Sequence, residues 1–126
     1  MRKATARWFG LICLGLAALL GGCSRDIPPP QALPADQVVS AMEKAFKDAR
    51  PDLKKMAADF NASFKGNDPS RAFLALQALN SRTELSAGQR EVVTRSLLTV
   101  NEKLQAAAAQ GEAKAGEVMQ NYRSQR

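Results

Sequence analysis

Apolar residues recur every three or four positions from Asp36 to the C terminus of this 126-residue chain. That spacing places them along one side of an α-helix, and no stretch of the region shows the alternation of a half-buried strand. Start signals for helices recur at three places, namely Pro51-Asp52, Asp68-Pro69 and the capping box Ser86–Gln89. The sequence therefore predicts an all-α fold, a small bundle of three or four helices with a long C-terminal helix.

The last predicted helix is too long for the rest of the bundle. An unbroken helix over residues 87–123 would be about 55 Å long, whereas each earlier helix would be about 20 Å. Gly111 and Gly116 disfavour a helix interior, so we expect residues 106–122 to fold back, fray or pack on another chain. The apolar residues with heptad-like spacing, continued after a shift, define a candidate partner-helix face: Val93, Leu97, Val100, Leu104, Ala107, Val118, Met119 and Tyr122.

The first 22 residues have a different character from the remainder. Arg2, Lys3 and Arg7 precede an apolar run from Trp8 to Leu20, an order that is typical of an export signal. As a helix, residues 8–22 would be about 22 Å long, which is shorter than the ~30 Å hydrocarbon core of a bilayer. We therefore expect a cleaved signal in preference to a permanent transmembrane helix.

The end of this leader resembles the lipobox of bacterial lipoproteins. Leu20, Gly21 and Gly22 stand directly before Cys23, as a small pair precedes the modified cysteine in that class. The resemblance implies a diacylglyceryl group on the Cys23 sulfur, cleavage before Cys23, and a further acyl chain such as palmitate on the new amino group. It also implies attachment to a membrane of the cell envelope, and Ser24 favours the outer membrane, facing the periplasm.

A proline-rich segment joins the predicted anchor to the helical region. Pro28, Pro29, Pro30 and Pro34 favour an extended polyproline II conformation, and residues 24–35 would reach about 37 Å at ~3.1 Å per residue. We expect a flexible tether here. The predicted organisation is a removed signal at 1–22, a lipidated cysteine with its tether at 23–35, and a helical domain at 36–126.

The residue types needed for most enzyme chemistry are scarce. The chain has no histidine, which excludes histidine-based triads, imidazole acid–base catalysis and most zinc sites. Both cysteines lie within the first 23 residues. The remaining candidate carboxylates fall on polar helix faces beside basic residues: Glu43, Asp59, Glu91 and Glu102. We predict no catalytic residue, no metal site and no cofactor.

The charge distribution argues against a nucleic-acid partner. The formal net charge is +6, but loss of Arg2, Lys3 and Arg7 with the signal leaves 15 basic and 12 acidic residues, or +3. These charges are interspersed and form no basic block of the kind that binds a phosphate backbone. The predicted partners are the membrane, through the lipid anchor, and a protein or a second copy of the chain, through the C-terminal helix.

Three functions from different classes are compatible with these features. The first is a non-enzymatic interaction or structural module anchored in the membrane and exposed to the periplasm. The second is an envelope spacer similar to the murein lipoprotein, with noncovalent wall contact because Ser124-Gln125-Arg126 lacks the terminal lysine. The third is a small-ligand carrier or enzyme, which would need a ligand-sized apolar pocket inside the bundle.

Overall fold

The computed structural model describes residues 27–126, so the leader and the lipobox with Cys23 lie outside the described residues. Five helices follow one another, with no strand in this range: α1 (Ala35–Ala45), α2 (Pro51–Lys65), α3 (Pro69–Asn80), α4 (Ala87–Ala109) and α5 (Ala113–Ser124). The all-α prediction is confirmed. The expected count of three or four helices is corrected to five, because the long C-terminal helix is divided.

The first four helices form a ring. Each contacts the next in the chain, and α4 returns to contact α1, whereas the backbones of α1 and α3 do not approach each other closely and neither do those of α2 and α4. Side chains still meet across the ring, since Lys103 Nζ of α4 lies 5.6 Å from the centroid of the Phe64 ring of α2. The edge formed by α1 and α4 therefore lies opposite the edge formed by α2 and α3. α5 packs on α3 and α4.

The core consists of the apolar stripes that the helical spacing predicts. Each helix of the ring contributes large side chains that are almost completely removed from water: Val38, Met42, Leu53, Phe60, Phe73, Leu76, Leu79, Val93, Val100 and Leu104. Burial of one such side chain stabilises a fold by about 1.5–3 kcal/mol. The ring is thus held together mainly by its apolar interior.

Local signals set most of the helix starts. The Ser86 hydroxyl accepts a hydrogen bond from the Gln89 backbone N–H (3.2 Å), and the Gln89 side-chain oxygen accepts one from the Ser86 backbone N–H (3.0 Å). This is the predicted capping box, and it satisfies two amide groups that a helix N terminus otherwise leaves without a partner. Asp68 caps α3 in the same way, through the N–H group three residues later.

The predicted long helix breaks at Gly111. α4 ends at Ala109, and Gly111 has a φ of +88°, a conformation that glycine adopts without the steric cost borne by other residues. The Glu112 N–H then donates to the Ala107 carbonyl oxygen (3.1 Å). The chain reverses here, whereas Gly116 lies within α5.

The end of the proline-rich segment is part of the fold. Leu33 is buried in the core cluster, and its carbonyl oxygen accepts a hydrogen bond from the Thr99 hydroxyl on α4. The Arg95 Nε donates to the Gln31 carbonyl oxygen (2.9 Å). We call residues 31–34 the strap. The prediction of a flexible tether through residue 35 is wrong for these residues, because apolar burial and side-chain hydrogen bonds from α4 hold them.

The start of α1 also differs from the expected one. The helix begins at Ala35, directly after the strap, with Pro34 at the N-cap position and no side-chain capping bond. Asp36, where the helical domain was predicted to begin, lies within the first turn, and a negative charge there interacts favourably with the helix dipole. The strap is held on α4 and leads directly into Ala35. The helix therefore begins one residue before the predicted start of the helical domain at residue 36.

Candidate interaction surface

The predicted partner-helix face is occupied by the protein's own fold. Three of its members are buried in the core, namely Val93, Val100 and Leu104. The other five are partly buried and pack against the core: Leu97, Ala107, Val118, Met119 and Tyr122. Of the three arrangements expected for residues 106–122, the structure shows the fold-back, because the turn at Gly111 lays α5 on α3 and α4. Binding of a partner through these residues stays a prediction.

An aromatic contact holds the C-terminal end of α5 against α3. The Tyr122 ring meets the Phe73 ring of α3 edge to face, with centroids 5.3 Å apart and planes at 85°. Such pairs contribute about 0.5–1.5 kcal/mol beyond the area that they bury. The Arg126 guanidinium also lies 5.0 Å from the Tyr122 ring centroid and donates to its hydroxyl oxygen.

A groove of about 840 Å³ lies between α2 and α3. The turn that joins these helices shapes it: α2 ends at Gly66, Asn67 takes a φ of 55°, and the Asp68 N–H donates to the Ser63 carbonyl oxygen (3.0 Å). Small side chains leave the space open between the two helices. We call this the α2–α3 groove, and it is lined by Lys55, Asp59, Ala62, Ser63, Gly66, Asp68, Arg71, Leu74 and Ala75.

The charges along this groove are unequally compensated. Lys55 Nζ lies 2.8 Å from Asp59 Oδ2, and Asp68 Oδ2 lies 3.8 Å from Lys114 Nζ of α5. Arg71 is exposed, and its guanidinium forms no ion pair with any residue of 27–126. The groove therefore offers one positive charge without an internal counter-charge.

An exposed apolar residue stands beside that charge. Leu74 is 52% exposed and lies one turn after Arg71 on α3, so both side chains project from neighbouring positions. A single exposed leucine is ordinary on a protein surface. Its position at the rim of a groove, next to an arginine, makes a surface suited to an acidic segment that also carries an apolar side chain.

A second charged cluster has a structural role. Arg82, in the loop before α4, contacts Asp52 of α2 (2.7 Å) and Glu84 (3.0 Å), and Arg50 lies 3.7 Å from Glu84. The hydrogen bond from Arg82 lowers the pKa of Glu84, and the same bond raises the pKa of Arg82. Arg82 thus favours the ionised form of Glu84, and its contact with Asp52 ties α2 to the loop between α3 and α4.

The other candidate carboxylates are paired or exposed on helix surfaces. Glu43 lies 3.6 Å from Lys65 and Glu91 lies 3.8 Å from Arg95, while Glu102 is exposed. In the part of the chain that the structure describes, no group of three or more Cys, Asp or Glu side chains is placed to hold a metal ion. Within residues 27–126, no helix has the length and apolar character that crossing a membrane requires.

Surface grooves elsewhere on the domain are also charged. Four grooves of about 200–840 Å³ in the described region each have charged side chains among their lining residues. Ligand pockets are usually concave and mostly apolar, and none of these four is an enclosed apolar cavity.

Sequence reasoning did not identify Arg71 and Leu74. A signal was present, because Leu74 is apolar but lies outside the stripe of Phe73, Leu76 and Leu79 that forms the buried face of α3. A large apolar residue off the core stripe indicates exposure to solvent or to a partner. The groove beside it depended on the packing of α2, which spacing alone does not supply.

Comparison with known proteins identifies a family. The sequence model of the family described as HrpJ-like domain matches residues 24–125. Neither the curated proteins nor the solved structures contain a match.

Proposed function

This chain belongs to the HrpJ-like domain family, and from that premise we propose that it is a lipid-anchored, non-enzymatic helical binding module of a type III secretion apparatus. The family is associated with type III secretion. The domain would present a protein-binding surface from a membrane of the cell envelope.

The observation that carries this proposal is the extent of the family match. It begins at residue 24, directly after Cys23, and continues to residue 125. The family domain therefore coincides with the predicted mature chain. This coincidence supports a secretion-associated domain that is delivered to the membrane by lipid attached to the preceding cysteine.

The α2–α3 groove is the proposed docking surface on this module. Arg71, which has no ion-pair partner among residues 27–126, and the exposed apolar side chain of Leu74 favour a protein segment that carries an acidic group and an apolar side chain. The candidate partner-helix face packs against the core of the protein's own fold. We therefore propose the α2–α3 groove as the site of partner binding.

Lipid attachment is tested by mass spectrometry of the protein isolated from membranes of its own cells. We expect cleavage before Cys23, a diacylglyceryl group on its sulfur and an acylated amino group. The Cys23→Ser variant controls for acylation elsewhere. An intact leader or an unmodified Cys23 sulfur would refute the anchor.

The role in secretion is tested with variants at the chromosomal locus. We expect Arg71→Glu combined with Leu74→Ser to reduce release of type III substrates into the medium. An acidic residue at position 71 suits the first turn of α3, so the fold should be retained. Lys47→Glu is the matched control and should leave secretion unchanged, since Lys47 is exposed in the turn after α1 and does not line the groove. Unchanged secretion in both the groove variant and Cys23→Ser would contradict the proposal.

A further inference from the structure

The strap shortens the free chain between the proposed anchor and the domain. Gln31, the first residue of the strap, follows Cys23 by eight positions. Fully extended, they span at most about 25–28 Å. Without the strap, the free chain would continue to Ala35, where α1 begins.

The strap fixes the point at which this short chain leaves the domain. Gln31 and Leu33 are bonded to Arg95 and Thr99 in the middle of α4, and the chain enters α1 two residues later. The exit point therefore lies on the α1–α4 edge. The α2–α3 groove lies on the opposite edge of the ring.

The domain is large relative to the reach of the tether, and this limits which of its edges can face the membrane. A folded domain of 100 residues has a radius of gyration of ~13 Å, which corresponds to a sphere about 33 Å across. To bring the groove to the membrane, the chain would have to pass around half the circumference, about 50 Å, which is roughly twice the tether's reach. The groove edge cannot then touch the lipid surface.

We propose that the strapped tether orients the domain: the α1–α4 edge faces the lipid surface, and the α2–α3 groove faces away from it. This inference rests on the lipid anchor of the proposed function. The partner of the α1–α4 edge is the lipid surface itself, and the groove is left available to a protein.

The segment before the strap suits this position. Residues 27–33 carry no charged side chain, and Ile27 is 80% exposed. Ile27 follows Cys23 by four residues, a span of about 14 Å at most. An exposed isoleucine held this close to a bilayer gains free energy by entering the interface, which further limits rotation of the domain.

The orientation is tested with the full lipidated protein, reconstituted in vesicles of phosphatidylethanolamine and phosphatidylglycerol. Because the Cys23 sulfur would carry lipid and Cys13 would be removed, one introduced cysteine can be labelled alone. A fluorophore at Gln37→Cys, one turn into α1, reports on the proposed lipid-facing edge. A fluorophore at Leu74→Cys reports on the groove.

Nitroxide on the lipid headgroups should quench the label at position 37 several-fold more than the label at position 74. A second variant carries a twelve-residue insert of alternating glycine and serine after Pro30. The insert leaves the strap unchanged, but it makes the extended tether longer than the ~50 Å path around half of the domain. In this variant the two labels should become equally quenched. Circular dichroism before reconstitution confirms that it is folded.

The outcomes separate the two proposals. Protein that is not lipidated and does not associate with vesicles would overturn both the anchor and the orientation. Protein that associates but shows equal quenching at positions 37 and 74 would overturn the orientation alone. A large difference that persists after the Gly-Ser insertion would also overturn it, because a cause other than the short tether would then orient the domain.

Discussion

The hydroxyl of Thr99 donates a hydrogen bond to the backbone carbonyl oxygen of Leu33, a residue that precedes it by 66 positions. The same hydroxyl lies 3.3 Å from the Arg95 carbonyl oxygen within α4. Leu33 is itself buried, so the contact joins an apolar side chain and a polar bond at one place. It converts the last residues of a proline-rich segment into part of the bundle.

Thr99→Val tests the strength of this contact. Valine keeps the shape of threonine but removes the donor, so we expect a loss of about 1–2 kcal/mol in the free energy of unfolding. Urea denaturation measures it. Thr94→Val, also on α4 and without a hydrogen bond from its hydroxyl among the described contacts, should change stability by less than about 0.5 kcal/mol. Equal effects of the two substitutions would contradict a specific role for Thr99.

Gly111 and Gly116 should respond in opposite directions to substitution by alanine. At Gly111 the φ of +88° strains any side chain, so Gly111→Ala should destabilise the protein by about 1 kcal/mol or more. Gly116 lies in α5, with open space where a Cβ would be added. Gly116→Ala should therefore stabilise it by up to about 1 kcal/mol. Thermal unfolding of the two variants distinguishes this turn from a continuous helix, in which both changes would stabilise.

Tyr122 should control whether α5 stays on the bundle. Tyr122→Ala removes the edge-to-face contact with Phe73 and should cost about 2–3 kcal/mol. This is less than the roughly 3–5 kcal/mol for truncation of a fully buried aromatic residue, because Tyr122 is only partly buried. Amide hydrogen exchange should show the loss of protection in α5. Tyr122→Phe keeps the ring and loses only the exposed bond to Arg126, so its exchange should resemble that of the wild type. Similar loosening by both variants would contradict ring packing as the cause.

The ion pair of Glu84 should make stability depend on acid pH. The hydrogen bond from Arg82 lowers the pKa of Glu84 in the fold, so its contribution is present above the ordinary value of 4.5 and is lost as the pH falls through the lowered pKa. Glu84→Gln should lower the melting temperature at neutral pH, and the difference from wild type should vanish near pH 2. A difference that is constant with pH would show that charge is not involved.

Local chemistry accounts for most of the helical pattern. The capping box at Ser86 and Gln89, the start at Pro51 and the end of α2 at Gly66 were all predictable. Each depends on bonds or dihedral angles within a few residues. The buried stripes followed equally well, because a 3.6-residue period assigns side chains to a face whatever that face later contacts.

The spacing of apolar residues did not determine what the C-terminal helices pack against. The heptad-like residues through Tyr122 are apolar enough to pack on a partner or on their own chain, and Gly111 permits a turn without requiring one. In the structure these residues pack on their own chain, because after the turn α5 lies against α3 and Tyr122 contacts Phe73. A local pattern specifies an apolar face, but the surface that covers it depends on residues distant in the chain.

The sequence by itself determined that residues 36–126 form helices, where most of them begin and which side of each is apolar. The tertiary structure alone decided that the strap docks on α4, that the candidate partner-helix face packs within the protein's own fold, and that Arg71 and Leu74 stand beside an open groove. The physical reason is the distance along the chain over which each interaction acts. Helix signals act over one or two turns, whereas burial and hydrogen bonding across 66 residues depend on the whole bundle being assembled.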